Sequence, residues 1–322
     1  TSMLMAGRRV GVCVSEKKRR RMKVAALADL CIDLTQPMES QGPFDVIMHK
    51  LSDIIVEAEH DNLILCFLCL ITIGQNYVST HPRTVLLDPL PIMKQLLDRF
   101  ASYRIISKLQ DTLKGPLQFR AIQRQGLQAP PTNTFFRICK TRVAHGSRSH
   151  EMSLIFNPAG LRDVQPPCVL QSFVNHGAVL HKVFVVGEDH FTVERPSLKN
   201  FPTGPHDRET IFFNSHEVSK PESCSHLTAL DETMPRLPSP SDDAMVALVK
   251  ELRAELGMAL FGVDIIVNIH NHTLTIIDIN IFPGYEGVPQ FFSSLVNHIE
   301  SVLDPSRTYE AQEDITDSQV EQ

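Results

Sequence analysis

Two segments rich in isoleucine and valine near residue 270 carry acidic side chains that a buried strand does not normally tolerate. We predict β-strands over residues 260–268 and 274–281, joined by a polar turn. Because side chains alternate along a strand, Asp278 and Asn280 share one face, and Asp264 has the same kind of apolar neighbours in the first strand. Carboxylates in such a place cost several kcal/mol unless a cation or strong donors compensate them.

The residue types in this hairpin favour a particular kind of ligand. Two carboxylates and an amide, with no His or Cys beside them, suit Mg²⁺ rather than zinc. Pro283-Gly284 then ends the second strand and allows the backbone to approach a bound group closely. The alternative is a hairpin whose acids cap nearby backbone groups, and this motif alone leaves both interpretations open.

Composition limits the classes of partner. A chain of 322 residues with 43% hydrophobic and 21% charged residues is typical of a globular protein with two or three subdomains. Its net charge of −6 predicts no general affinity for nucleic acid or an anionic membrane, so a polyanion would need a local cationic patch. The longest apolar run, residues 63–71, is too short to span a bilayer. Seven cysteines in apolar segments indicate a reducing compartment, the cytoplasm, with the nucleus also compatible.

The element pattern predicts a mixed α/β chain. Strands and helices alternate up to about residue 108, which indicates a small α/β first domain. The predicted strands are residues 8–14, 44–49, 84–87, 135–141, 168–174, 179–186 and 190–195. Long helical stretches are predicted over residues 51–78 and from residue 91 to about 108. Residues 241–256 form the clearest amphipathic helix, followed by Gly257.

Three cationic clusters lie at the ends of predicted elements, while P-loop and Rossmann glycine motifs are absent from the sequence. The clusters are residues 17–23, residues 140–150, and residues 171–182 together with 195–199. Each could bind phosphate groups at a helix start or a glycine-containing loop. Taken singly, the first could equally be a solvated face or a localisation signal, the second a basic hairpin tip, and Lys182 a surface lysine that folds its stem along apolar groups.

Specific strings in these regions carry a family resemblance. They are Ser15-Glu-Lys-Lys18, His49-Lys50, Cys139-Lys-Thr-Arg-Val-Ala-His-Gly146, Ser149-His-Glu-Met152, Arg195-Pro-Ser-Leu-Lys-Asn200, Phe212-Phe-Asn-Ser-His216 and Phe282-Pro-Gly-Tyr-Glu-Gly287. With the acidic hairpin, they resemble the inositol-tetrakisphosphate 1-kinases, also called inositol 1,3,4-trisphosphate 5/6-kinases, of the ATP-grasp superfamily. The resemblance covers about residues 7–100 and 135–303, and does not extend over residues 31–33 and 104–134.

The resemblance implies an ATP-grasp fold of the α/β (α+β) class, with three subdomains around a central nucleotide cleft. An N-terminal α/β substrate-binding domain would span residues 7–100. The central ATP-grasp subdomain would span residues 101–178, and the C-terminal one, with the metal site, residues 179–303. A polar tail, residues 304–322, is predicted to be disordered.

The resemblance also implies roles for individual residues. Substrate phosphates and hydroxyls would be bound by Lys18, Lys50, His150, Lys182, Asn280 and Gly284. ATP would be bound by Arg99, Lys140, Gln171, Lys182, Ser197, Ser215 and Ser219. Asp264 and Asp278 would hold one Mg²⁺, and Asp278 with Asn280 a second.

The implied activity is transfer of the ATP γ-phosphate to a ring hydroxyl of inositol tris- and tetrakisphosphates, reversible with ADP, by a monomeric enzyme. It would act as a 1-kinase on inositol 3,4,5,6-tetrakisphosphate and as a 5/6-kinase on inositol 1,3,4-trisphosphate. Lys140 and Asp278 would be catalytic, and His150 is a candidate general base.

Two other functions use the same residues. An ATP-grasp carboxylate–amine ligase shares the fold and metal ligands, but the cations of residues 17–23 and the loop at residues 140–146 exceed what a small amino-acid substrate needs. A protein that binds inositol phosphates without turnover would be expected to have lost metal ligands, and here all three are present.

Overall fold

The computed structural model describes residues 7–15, 18, 30–33, 36–52, 74–112, 119–121, 135–202, 207–230 and 236–304. Three predictions lie mainly outside these ranges: the cationic cluster of residues 17–23 except Lys18, most of the helical stretch 51–78, and the polar tail beyond residue 304. No helix within the described ranges is long and apolar enough to cross a membrane.

The strands, in chain order, are β1 (Val10–Cys13), β2 (Leu30–Cys31), β3 (Val46–His49), β4 (Val85–Leu87), β5 (Phe119–Ala121), β6 (Arg137–Thr141), β7 (Glu151–Ile155), β8 (Cys168–Ser172), β9 (Val179–Val186), β10 (Asp189–Pro196), β11 (Ile211–Asn214), β12 (Leu260–Val267) and β13 (Leu274–Ile281). The helices are α1 (Met38–Gln41), α2 (Leu90–Leu96), α3 (Arg99–Thr112), α4 (Ser215–Val218), α5 (Asp242–Leu256) and α6 (Phe291–Leu303). Residues 74–80 are also helical. Short 3₁₀ turns occur at Ser147–His150, Pro158–Asp163 and His226–Thr228.

These strands form three sheets among the described residues. The N-terminal sheet has the order β2-β1-β3-β4 and is parallel throughout, which explains why β1 and β3 are apolar and buried. The central sheet, β11-β7-β6-β8, is antiparallel. The C-terminal sheet has the order β10-β9-β12-β13-β5, and β5 pairs in parallel with β13. The predicted mixed α/β class is confirmed.

The amphipathic helix α5 follows its sequence pattern. The Ser241 hydroxyl accepts a hydrogen bond from the Ala244 amide at 3.3 Å and caps the N-terminus. Gly257 ends the helix in the left-handed conformation, with φ of 60°. The apolar face is buried as predicted, through Met245, Leu248, Val249, Leu252 and Leu256.

The predicted helix ending near residue 108 is instead two helices, α2 and α3. The chain leaves helical geometry because the Asp98 carboxylate accepts a hydrogen bond from the Phe100 amide at 2.8 Å, which caps α3. Asp98 also forms an isolated β-bridge with Val143, far along the chain. This break places the first residue of α3, Arg99, at the central sheet.

The sheets cross the expected subdomain boundaries at two strands. β5 lies within residues 101–178 but belongs to the C-terminal sheet, and β11 lies within residues 179–303 but belongs to the central sheet. Division into three continuous segments therefore does not match the sheets at these strands, and the predicted bounds stay a prediction elsewhere.

A buried carboxylate joins the N-terminal and C-terminal sheets. The Asp88 side chain, next after β4, accepts hydrogen bonds from the amides of Ala259 and Leu260, both at 2.8 Å. Its carbonyl is 2.7 Å from His49 Nε2. Asp88 is 3% exposed, and burial raises its pKa to about 6 although the two amides favour the charged form. The start of β12 is therefore fixed to the end of β4.

We expect Asp88→Ala to destabilise the fold. It leaves two buried amides without an acceptor, and each unsatisfied group costs about 1–3 kcal/mol, so the free energy of unfolding should fall by about 2–5 kcal/mol in urea titrations. Asp207→Ala, at an exposed site, is the control and should change it by less than about 0.5 kcal/mol. Equal stability of the two variants would contradict the conclusion that Asp88 links the N-terminal and C-terminal sheets.

Candidate active site

The hairpin of β12 and β13 places its acids directly opposite each other. Asp264 pairs with Asp278 in the strand register, and Gly262 pairs with Asn280. The register shifts just after Asp264, so the regular ladder is interrupted at this pair. Asp278 Oδ1 does accept a hydrogen bond from the adjacent Ile279 amide at 3.1 Å. The three side chains nevertheless line one cavity, which the interpretation as simple backbone caps does not explain.

Cations from two other elements compensate these carboxylates. Lys182 is the partner of Asp264 on the neighbouring strand β9, and its Nζ lies 3.1 Å from Oδ1 and 3.4 Å from Oδ2. Arg99 Nη2 lies 3.8 Å from Asp278 Oδ2. Lys182 is thus held in the cleft by an opposite charge and is not a surface lysine with its amine in water.

Lys140 adds a third buried cation beside Asp278. Its Nζ donates a hydrogen bond to the carbonyl of Ile277 at 2.9 Å, across the space between the central and C-terminal sheets. Burial lowers the pKa of Lys140 to about 8, while the charge of Asp278 acts to raise it. Burial alone would raise the pKa of Asp278, but Lys140, Arg99 and Lys182 outweigh it, so this pKa lies below its usual range. The carboxylate is therefore charged at neutral pH.

The cavity between the two sheets has a volume of about 670 Å³, within the usual range for small-molecule sites. Its lining includes most of the residues expected from the sequence: Arg99, Lys140, His150, Gln171, Lys182, Ser197, Ser215, Ser219, Asp264, Asp278 and Asn280. The structure therefore brings these expected residues together in one cavity, although they lie up to 181 positions apart in the sequence, from Arg99 to Asn280.

One wall of the cavity is apolar and includes the buried amide of Gln171. Ile138, Phe173 and Leu180 line this wall, which suits a planar ring. Gln171 is 2% exposed, and its Oε1 accepts a hydrogen bond from the Tyr103 hydroxyl at 3.1 Å. Its Nε2 has no hydrogen-bond partner among the described residues. Tyr103 thus fixes the amide so that a donor is left for a ligand.

The sequence analysis did not identify Tyr103 as a site residue, because its hydrogen-bond partner Gln171 is distant in sequence. A usable signal existed, since Arg99 and Tyr103 are four residues apart on α3 and therefore lie on the same face of the helix. Both contact cavity-lining groups, so this face of α3 forms the back of the site.

His150 lies at the other end of the cavity with two groups from α4. Its Nδ1 is 3.3 Å from the Ser215 hydroxyl, and its ring centre is 5.5 Å from that of His216. Burial lowers the pKa of His150, and the charges of His216, Arg99 and Lys182 lower it further. The imidazole is therefore neutral at pH 7, which is the form that can accept a proton. Its role as a general base stays a prediction.

Lys18, Lys50 and Gly284 are not among the residues that line this cavity. Lys18 Nζ donates to the carbonyls of Phe282 and Pro283, the second at 2.9 Å, and lies 3.9 Å from the centre of the Phe282 ring. The Lys50 amide donates to the carbonyl of Cys13, which places Lys50 at the carboxyl ends of β1 and β3. Gly284 lies close to the Glu286 carboxylate, and this flexible side chain would have to shift to admit a β-carbon at position 284.

The half-buried His145 lies between the residues that line the cavity and the N-terminal lysines Lys18 and Lys50. Burial lowers its pKa to about 3, the charge of Lys50 lowers it further, and Arg99 and Lys18 act in the same direction. The charge of Asp278 acts to raise the same pKa, so both the N-terminal cations and the acidic hairpin influence this imidazole. The N-terminal lysines therefore lie at the mouth of the site and not in its floor.

The donor set fits a hard divalent cation. Asp264 and Asp278 are opposed carboxylates, and Asn280 adds an amide on the same face. The Nδ2 atom of Asn280 is buried without a hydrogen-bond partner among the described residues, and Lys182 approaches Asp264 Oδ1 without the alignment of a hydrogen bond. The incompletely satisfied oxygen of Asp264 fits a metal ligand, whereas the Asn280 Nδ2 is an N–H donor and fits an anionic group.

The fold and this site define an ATP-grasp protein. The chain superposes on the ATP-grasp ligase PsnB complexed with minimal precursor with a TM-score of 0.54, covering 92% of this chain and 99% of that one at 12% identity. At so low an identity the likeness shows the fold alone.

The chain belongs to the inositol 1,3,4-trisphosphate 5/6-kinase family. The ATP-grasp domain of that family matches residues 117–301, and its pre-ATP-grasp domain matches residues 9–93. The first match begins inside residues 104–134, so the resemblance extends further than the sequence strings indicated.

Two relatives illustrate the similarity within the family. The chain is 48% identical to inositol-tetrakisphosphate 1-kinase of Danio rerio, over 92% of this chain and 79% of that protein. It is 46% identical to inositol-tetrakisphosphate 1-kinase of Xenopus laevis, over 93% of this chain and 80% of that protein. It is therefore an ATP-dependent inositol polyphosphate kinase, and its family implies use of ATP and a divalent metal ion. The ligase and the non-catalytic binding protein are set aside.

We expect Asp278→Asn to abolish turnover while the protein stays folded. The amide keeps the shape but removes the charge that opposes Lys140, Arg99 and Lys182 and that a metal ion requires. The rate at saturating Mg²⁺ should fall about a thousandfold or more, measured as phosphoryl transfer from ATP.

Asn280→Ala is the comparison, because a neutral ligand contributes less to holding a dication. Its rate loss should be smaller than that of Asp278→Asn, with thermal unfolding of both variants followed in parallel. An Asp278→Asn variant that kept more than about a tenth of the wild-type rate would refute the metal assignment.

Proposed function

We propose that the cavity binds ATP and two Mg²⁺ ions, with Asp264 and Asp278 holding one ion and Asp278 with Asn280 the other. The observation that carries this proposal is the pairing of Asp264 with Asp278 beside three buried or half-buried cations. Bound Mg²⁺ would neutralise charge on the transferring phosphoryl group. The apolar wall beside Gln171 would take the adenine, with Ser197, Ser215 and Ser219 near the nucleotide.

The side chains contribute position and charge to the reaction. Lys140 is fixed by the Ile277 carbonyl at the floor of the cavity, where its charge can oppose phosphate oxygens. Lys182 and His150 both line the cavity and can orient the acceptor. Phosphoryl transfer needs the hydroxyl in line with the γ-phosphate more than it needs covalent help, so a rigid ring of donors is sufficient for most of the catalysis.

We propose that the acceptor lies between the cavity and the N-terminal sheet. Lys18 and Lys50 lie at the carboxyl ends of parallel strands, where open α/β sheets commonly bind ligands. Inositol 3,4,5,6-tetrakisphosphate, phosphorylated at position 1, and inositol 1,3,4-trisphosphate, phosphorylated at position 5 or 6, are the proposed substrates, with transfer back to ADP. Several isomers can fit, because phosphates on a six-membered ring present similar charge patterns when the ring is rotated.

We also propose a cytoplasmic enzyme that acts as a monomer. The free cysteines among the described residues, such as the buried Cys13 and Cys139, agree with a reducing compartment. The net charge of −6 supports the absence of nucleic-acid and membrane partners.

The direct test is incubation with Mg²⁺, ATP and a panel of defined inositol tris- and tetrakisphosphates, followed by identification of the product isomers. Transfer to position 1 of the tetrakisphosphate and to positions 5 and 6 of the trisphosphate is expected. Products at other positions only would refute the proposed specificity, and ADP release without any phosphorylated inositol would refute the proposed acceptor.

We expect Lys18→Ala to weaken inositol phosphate binding and to leave ATP binding nearly unchanged. Lys18 lies beside Phe282 and Pro283, outside the cavity lining, and a charge-assisted contact to phosphate is worth about 1.5–3 kcal/mol. The Michaelis constant for inositol phosphate should therefore rise about 10- to 100-fold. Lys94→Ala, at an exposed lysine of helix α2, is the control. An equal rise in the Michaelis constant for ATP would contradict this placement.

A further inference from the structure

The loop between β6 and β7, residues 142–149, is bound to the start of α3 through its backbone. The Arg99 amide donates to the carbonyl of Arg142 at 2.9 Å, and the Ala144 amide donates to the carbonyl of Leu97 at 2.8 Å. Asp98 and Val143 form the β-bridge between these two bonds. The first half of the 142–149 loop is therefore paired with the break between α2 and α3.

The Arg99 guanidinium then spans the loop from one end to the other. Nη1 donates to the carbonyls of Thr141 at 2.7 Å and Val143 at 3.1 Å, and to the Thr141 hydroxyl at 2.9 Å. Nη2 donates to the carbonyl of Ser149 at 3.1 Å. The side chain is 3% exposed, so these bonds form away from competing water.

Only arginine can make this set of contacts. A planar guanidinium presents donors in a fixed fork, whereas a lysine amine is a single point charge that cannot reach acceptors at both ends of a loop. Nη2 also faces Asp278 at 3.8 Å, which fixes the fork relative to the acidic hairpin. Arg99 therefore links the 142–149 loop to the metal-ligand strand β13.

The position of this loop determines where several side chains of the site lie. Lys140 precedes it and His150 follows it, while Ala144 and Ser149 line the cavity directly. Ser149 is further fixed by its hydroxyl, which donates to the carbonyl of Gly146 at 2.7 Å. If the loop moved, one wall of the cavity would move with it.

We propose that Arg99 is a positioning residue that holds the 142–149 loop in place before any ligand binds. Two bonds to the loop, at Val143 and Ser149, two bonds to Thr141 and the approach to Asp278 use both Nη atoms, so Arg99 supports nucleotide and acceptor binding through the loop. Its Nε is buried without a hydrogen-bond partner among the described residues. The effect on catalysis rests on the proposed function, while the effect on the loop does not.

The test compares hydrogen–deuterium exchange of the ligand-free wild type and Arg99→Lys. Losing bonds from a charged donor should raise exchange in peptides covering residues 142–149 about tenfold or more, while exchange in the N-terminal sheet stays unchanged. Arg104→Lys makes the same chemical change at an exposed site of α3 and should leave the loop protected.

Steady-state kinetics separates a positioning role from a direct phosphate contact. A displaced loop should raise the Michaelis constants for both ATP and inositol phosphate and also lower kcat, because Lys140 and His150 flank the loop. A rise in the Michaelis constant for ATP alone, with wild-type exchange in the loop, would overturn the proposal in favour of a direct nucleotide contact.

Thr141→Val is the second variant; with little change of shape it removes one acceptor of Arg99 and also the bond that the Thr141 hydroxyl donates to the carbonyl of Val143 at 2.9 Å. It should raise loop exchange less than Arg99→Lys does, and the double variant should show less than the product of the two effects, because both act on the same bonds. If Arg99→Lys does not fold, unchanged loop exchange in Thr141→Val overturns the proposal. A wild type without phosphoryl transfer would refute the proposed function and leave the exchange result valid.

Discussion

The site depends on the burial of two opposed carboxylates in a sheet of isoleucine and valine. Asp264 and Asp278 face each other across β12 and β13, and such a pair is unstable without positive charge nearby. Lys182 from β9, Lys140 from β6 and Arg99 from α3 supply that charge. Because the three cations come from three different elements, compensating the acids also fixes the central sheet, the C-terminal sheet and α3 relative to one another.

This charge balance explains how an acidic protein can bind a polyanion. The net charge of −6 is spread over the whole chain, whereas the cations that matter are gathered where the sheets meet. Lys140, with its pKa lowered by burial to about 8, is still mostly charged at pH 7, whereas burial keeps His150 neutral, so the site holds less positive charge than a count of its basic residues suggests. A more basic cleft would bind its ligands in the ground state without favouring the transition state.

Sequence alone predicted the parts of the structure that depend on local periodicity. The hairpin of β12 and β13 agrees within one residue because its apolar alternation and polar turn are local signals. Strand β7 was missed because it is held by pairing with β6 and β11 on either side. Helix α6 was missed because its start at Gln290 has no side-chain cap, and it is stabilised by burying Phe291 and Leu295.

For the candidate site too, local motifs were predictable from the sequence and contacts between distant residues were not. Family strings and the acidic hairpin contain about half of the residues that line the cavity, because motifs with specific spacing can be identified without knowledge of the fold. The contacts of Arg99 with Thr141 and Ser149, and of Tyr103 with Gln171, join residues 42 to 68 positions apart and have no local pattern. Lys18 meets Phe282 across 264 positions. Such contacts are set by packing of whole sheets.

The compensation of Asp264 by Lys182 would also couple the proposed metal binding to phosphate binding. In the ligand-free protein the Lys182 amine lies 3.1 Å from Asp264 Oδ1, at the carboxylate that a metal ion requires. A dication held at Asp264 would take over that compensation, and Lys182 would then be placed to pair with a phosphate. The same lysine thus compensates the Asp264 carboxylate and can also bind phosphate, which accounts for its place beside Asp264 on β9.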